Sequence, residues 1–126
     1  MENPATYFPD NIIVVEALKP NVGGDERVYL IGHPATVHKI IKELPYGDCS
    51  SCKKHGDQEP EEESIFRGVK IQVHLCKKKK NCARDIKMIL AYVLPSILYQ
   101  FGYRLGGTTT LYPSNAGFTE KWQRSS

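Results

Sequence analysis

Apolar residues fall along this chain in two alternating rhythms. The run NIIVVEAL, from Asn11 to Leu18, is short and rich in β-branched residues, which predicts a strand. Pro20, Gly23 and Gly24 supply turn residues after it, and RVYLIG (Arg27 to Gly32) predicts a second strand paired with the first as a hairpin. The period then changes. Val37, Ile40, Ile41 and Leu44 recur at helical spacing, with Pro34 suited to a first helical position and Pro45 to a stop. HPATVHKIIKEL therefore predicts a short amphipathic helix.

From 45 to 64 the chain is almost without apolar residues, which is long for a structureless loop inside a compact domain. Alternation returns in IFRGVKIQVHLC, from Ile65 to Cys76. Val69, Ile71, Val73 and Leu75 fall on one side, and Lys70, Gln72, His74 and Cys76 on the other. This predicts a strand. A long helix is expected next, starting near Asn81 as N-cap and stopping at Gly102, with a kink at Pro95. Ile86, Ile89, Leu90, Val93, Ile97 and Phe101 make one stripe, and Met88, Tyr92 and Tyr99 fill the opposite side. A helix apolar nearly all round is central in a core or buried against a partner.

YRLGGTTTLY (Tyr103 to Tyr112) predicts a last strand interrupted at Gly106 and Gly107. The 113–126 segment reads as a polar tail with Phe118 and Trp122 as anchors. The order β-β-α-loop-β-α-β predicts a single α+β domain over residues 1–126. Its sheet is largely antiparallel, with one short helix and one long C-terminal helix on one face.

Composition changes this picture little. With 126 residues and 40% hydrophobic content, the chain can bury a core, and global disorder is excluded. A net charge of +3 implies no polyanion partner unless the charge is concentrated. MENPATYFPD has neither the basic nor the apolar region of a signal peptide. The longest apolar stretch, Met88 to Tyr99, is too short to span a bilayer. The expectation is an intracellular protein, cytoplasmic or nuclear, where disulfides are disfavoured.

In that setting the cysteines carry weight. Cys49, Cys52, Cys76 and Cys82 are spaced C-x2-C-x23-C-x5-C. The x2 pair suits two thiolates on one zinc ion, and Cys76 and Cys82 would complete a tetrahedral set, with His55 and His74 as spare ligands. A structural zinc would also offset the entropy of closing the long polar loop. A redox pair should open a helix, whereas KKHGDQEPEEE follows Cys52. The remaining reading is four unrelated thiols.

Positive charge concentrates at Arg67, Lys70, Lys77, Lys78, Lys79, Lys80 and Arg84. Lysines beside a helix start oppose the local dipole, so folding alone does not explain them. A phosphate-bearing ligand, above all RNA or DNA, would explain them. The competing reading is self-pairing with the acidic run from Asp57 to Glu63. No aromatic residue interleaves the lysines to favour base stacking.

Two further classes remain in view. The apolar helix suits a homo-oligomeric protein-interaction or small-ligand-binding accessory protein, and the small size suits one of viral or phage origin. A cysteine enzyme would use Cys82 as nucleophile. There Asn81-Cys82 before an apolar-backed helix resembles the H-box/NC acyltransferase-like proteins, which implies activation by a histidine on an earlier strand. ERVYLIG holds no such histidine; His33 and His38 come just after it. No paired-carboxylate, phosphate-loop or H-E-x-x-H pattern is present.

Overall fold

The β-branched run forms strand β1 (Ile12–Leu18), and it lies at the heart of the sheet rather than at its edge. The computed structural model describes residues 9–19, 25–46, 61–77, 81–111 and 116–125. β1 pairs antiparallel with β2 (Arg27–Gly32), Val15 facing Leu30, as the hairpin reading expects. Helix α1 (Pro34–Glu43) follows, with Pro34 in its first turn and the His33 ring accepting from the Ala35 N–H at 3.2 Å. That side-chain cap satisfies one of the orphan donors of the helix start.

The second hairpin joins β3 (Glu62–Ile65) to β4 (Gly68–Val73) through Phe66 and Arg67. The expected strand from Ile65 to Cys76 is thus split by a turn. Arg67 occupies the left-handed region at φ 60, as the third residue of a tight turn requires. β3 itself comes from residues read as the end of a loop. Its EESI sequence shows no apolar alternation because it is an exposed edge strand.

The second helix, α2, covers residues 86–100 in three joined pieces: an α turn Ile86–Met88, a π segment Ile89–Val93 and an α segment Leu94–Gln100. It begins later than expected. Asp85, not Asn81, is the cap, and its carboxylate accepts from the Lys87 N–H at 3.2 Å. Asn81 has φ 65 and belongs to the turn before the helix. The irregularity expected at Pro95 takes the form of a wide turn, in which the Leu94 N–H donates to the Ile89 carbonyl five residues back. Pro95 follows at once, where its missing N–H leaves the regular ladder incomplete.

The third hairpin pairs β5 (Arg104–Thr110) with β6 (Gly117–Gln123). β5 is the strand expected after the helix, with a bulge between Leu105 and Gly107 at the predicted interruption. β6 corrects the expected polar tail. In GFTEKWQ, Phe118, Glu120 and Trp122 face the core side of β1, opposite Ala17, Val15 and Ile13. Gly117, at φ 136, starts this strand against the Ala17 carbonyl, where any Cβ would collide.

The sheet order is β3-β4-β2-β1-β6-β5, antiparallel throughout and not closed. A central hairpin is flanked by one hairpin on each side. α1 carries the chain to the first and α2 to the second. Ile13, Val15, Val28, Leu30, Ile71 and Val73 meet Val37 and Ile40 of α1 and Ile89, Leu94 and Leu98 of α2 in one core. Burying each such side chain contributes about 1.5–3 kcal/mol. Among the described residues the other face has no helix. There Lys70 reaches across β2 to Glu16 at 3.0 Å and lies 4.4 Å above the Tyr29 ring. This is the α+β layering that the sequence predicts. Among the described residues no helix is long and apolar enough to cross a membrane.

Tyr103 joins α2 to β5 and is 1% exposed, its hydroxyl donating to the Asp10 carbonyl. Burial raises its pKa above 10, outweighing the opposing pull of Arg124. The folded state thus holds the neutral phenol more tightly than the unfolded chain does. Its contribution is complete below pH 10 and declines as pH rises through the folded-state value. Urea unfolding between pH 8 and 12 is expected to show a steeper alkaline loss of stability for the parent than for Tyr103→Phe. The variant is expected to start about 1 kcal/mol less stable for want of the hydrogen bond. Parallel curves would refute the assignment.

Candidate functional site

Cys76 lies just past the end of β4 and Cys82 in the turn before α2. Both are buried, at 7% and 0% exposure, and they pack against each other apart from the main core. The backbone fixes this meeting. The Cys76 N–H donates to the Arg84 carbonyl at 2.7 Å, and the Asp85 N–H to the Cys82 carbonyl at 2.8 Å. Cys76 and Arg84 are thus brought side by side, and 81–84 precede the helix cap at Asp85 rather than forming its first turn.

Arg84 accounts for the location. It is 7% exposed, and its Nε donates to the Pro45 carbonyl at 2.6 Å. Its two terminal nitrogens reach the carbonyls of His74 and Leu44, each at 3.4 Å. A guanidinium is suited to this work because its donors are fixed in a planar fork. The result joins three stretches of chain: the exit of α1, the exit of β4 and the turn before α2. Pro45 is the root of the 47–60 segment that carries the other two cysteines. Cys49 is four residues further on, so extended chain spans at most about 14 Å from that root.

Cys49, Cys52 and His55 lie outside the described residues. Among the described residues no group of three or more His, Cys, Asp or Glu side chains is arranged to hold a metal ion. The structure thus brings together one half of the expected ligand set, Cys76 and Cys82. It holds the root of the other half beside them. His74 is half-buried and its carbonyl is engaged by Arg84.

Of the expected phosphate-binding residues, the four that are described, Arg67, Lys70, Lys77 and Arg84, lie apart from one another. Arg67 and Lys77 lie beyond opposite ends of β4, a strand about 20 Å long. Arg67 stacks over the exposed Phe66 ring at 4.5 Å. Lys70 is occupied by Glu16 and Tyr29 on the open face. Arg84, expected among the exposed cations, is buried and spent on carbonyls. Lys78, Lys79 and Lys80 lie outside the described residues.

What remains is one end of the sheet. Lys77 is exposed there and paired with Asp25 at 2.5 Å. This pair depresses the Asp25 pKa, chiefly through the hydrogen bond from Lys77. Hairpin register brings Arg27 to this end, one position from the Val28–Val73 pair, and Lys19 follows Leu18 opposite it. Sequence spacing gave no sign of Lys19 or Arg27, because only the pairing of β1, β2 and β4 aligns them with Lys77. Nor did it single out the interior role of Arg84, one cation among many in a basic segment.

The cysteine-enzyme reading gains nothing from this geometry. Cys82 has no exposed surface and precedes the helix cap by three residues, away from the helix N-terminus. Compared with protein-family models, curated proteins and solved structures, the chain matches none.

Replacing Arg84 with Met is expected to leave the carbonyls of Leu44, Pro45 and His74 without this donor. The loss should be about 3 kcal/mol or more. Arg84→Lys should rescue little, since an ammonium cannot span the same three acceptors. Urea denaturation measures both; a loss below about 1 kcal/mol for the Met variant would show that the fork is not a tether.

Proposed function

We propose that this chain is a small zinc-stabilised binding protein of a reducing compartment, whose basic sheet end contacts a phosphate-bearing ligand, most simply a nucleic acid. The observation that carries the metal half is the Arg84 fork. It anchors Pro45 beside the buried Cys76–Cys82 pair, so the segment bearing Cys49 and Cys52 starts within reach of them. Zinc held by these four thiolates would contribute to folding directly, on the order of 10 kcal/mol of apparent binding energy. Its chemistry here is structural: four sulfurs fill the tetrahedron and leave no open position for substrate.

The ligand half rests on the shared position of Lys19, Arg27 and Lys77 at the end of the sheet from which residues 78–80 continue. The Lys77–Asp25 pair is exposed on both sides, so it holds Lys77 weakly and a phosphate can displace the carboxylate. A four-thiolate zinc site carries net negative charge, which gives the adjacent lysines a second, purely local role. Only binding measurements separate the two.

A second reading, homo-oligomerisation through the 88–99 helix, is favoured by Tyr92, which is 64% exposed on α2. Tyr99 is less available, being edge-on to Trp122 with Arg104 above its ring.

Native mass spectrometry is expected to find one zinc per chain, with chelation releasing it and melting the fold. Retention of full thermal stability after complete chelation refutes the metal half. For the ligand half, Lys77, Lys78, Lys79 and Lys80 all changed to Gln should weaken binding to single-stranded RNA or DNA. The slope of log K against log salt should fall by roughly three. An unchanged slope refutes it.

A further inference from the structure

The two edges of the sheet are made of opposite materials. β3 presents Glu62 and Glu63, with Glu61 just before them, all exposed. Charge of this kind guards an edge against pairing with another strand. β5 has no such guard. All seven of its residues are exposed, and from Leu105 to Thr110 it holds no charge and no proline. Thr108, Thr109 and Thr110 are consecutive β-branched residues, well suited to a ladder. Among the described residues no helix covers either side of this strand, and all seven of its residues are exposed, so packing does not account for them.

The register shows which backbone groups of β5 face outward. The Leu111 N–H donates to the Gly117 carbonyl at 3.0 Å, so these residues form a hydrogen-bonded pair. In an antiparallel ladder such pairs alternate with pairs whose N–H and C=O groups point away. Thr110, opposite Phe118, and Thr108, opposite Glu120, therefore turn their N–H and C=O groups to the open edge. Thr109, opposite Thr119, turns its groups toward β6.

We propose that β5 is a dimerisation edge, pairing antiparallel with β5 of a second copy of this chain. Residues opposite each other in a continuous sheet share a face, so the two-fold axis must pass beside a residue. An axis beside Thr109 sets Thr108 of each copy against Thr110 of the other. Each of these pairs exchanges both main-chain hydrogen bonds. An axis beside Thr108 instead runs the ladder into the bulge at Leu105–Gly107. With the axis at Thr109, threonine faces threonine and Thr109 faces itself, so no like charges meet. The same operation on β3 would set Glu63 against Glu63. The interface is isologous and closed, which ends assembly at the dimer. It involves neither the cysteines nor the basic sheet end, and it is separate from the Tyr92 side of α2.

Light scattering on the full chain across the micromolar range tests this. The parent is expected to be a dimer. Thr108→Pro should be monomeric with an unchanged circular-dichroism spectrum, because proline is tolerated where the N–H faces outward. Thr109→Lys and Thr109→Glu should each weaken dimerisation about tenfold or more, and mixing the two should restore a heterodimer. The Thr109 pair decides the matter if Thr108→Pro fails to fold. A monomeric parent overturns the proposal, as does a dimer indifferent to these variants. A dimer broken by Tyr92→Ser and not by Thr108→Pro also overturns it, and supports the helix-mediated reading instead.

Discussion

The guanidinium of Arg84, in the turn that leads into α2, holds the exits of α1 and β4 by their carbonyls. Buried positive charge is expensive unless every donor is used. Here the fork fixes a meeting point at the margin of the hydrophobic core, beside Leu44 and Leu75, where α1 has ended, β4 has ended and α2 has not begun. The sheet and its helices define a layer. The fork determines where the long polar segment leaves that layer, and so where its cysteines begin.

Magnitudes separate the forces at work. Exposed pairs such as Lys77–Asp25 and Arg124–Asp10 are screened by solvent and stabilise the fold little. The apolar contacts of β1, β2 and β4 with the two helices are individually larger and far more numerous. Electrostatics therefore says little about why the layer forms. It matters at the periphery, in keeping the β3 edge solvated, in leaving the β5 edge bare and in concentrating cations at one end of the sheet.

The parts legible in the sequence are those where periodicity and burial coincide. β1, β2, α1 and β4 alternate or repeat because one face is buried. Pro34 and the stop before Pro45 mark α1 as local chemistry dictates. β3 escaped because an edge strand with four exposed or half-exposed residues needs no apolar rhythm. β6 did carry a rhythm, Phe118-x-Glu120-x-Trp122, but a glutamate at the middle position hides it from an apolar count. The start of α2 was misread because Asn81 and Asp85 are both good caps, and only the left-handed backbone at Asn81 decides between them. At the candidate site, the x5 gap between Cys76 and Cys82 is wider than usual ligand spacing and gives little sign that the two side chains pack together, and the fork leaves no sign at all. A charged residue placed inside by backbone acceptors leaves no pattern in one dimension.

Strand order has a consequence for how the molecule is made. β1 is central only because β6, about a hundred residues later, lies beside it, with the Arg124 N–H bonded to the Asn11 carbonyl. Pairings so distant in sequence close slowly. Until β6 has left the ribosome, the hairpin of β1 and β2 offers IIVVEAL as a bare strand, the most apolar ladder in the chain. That interval is when a nascent chain of this topology is most exposed to aggregation, and when a chaperone has most to shield.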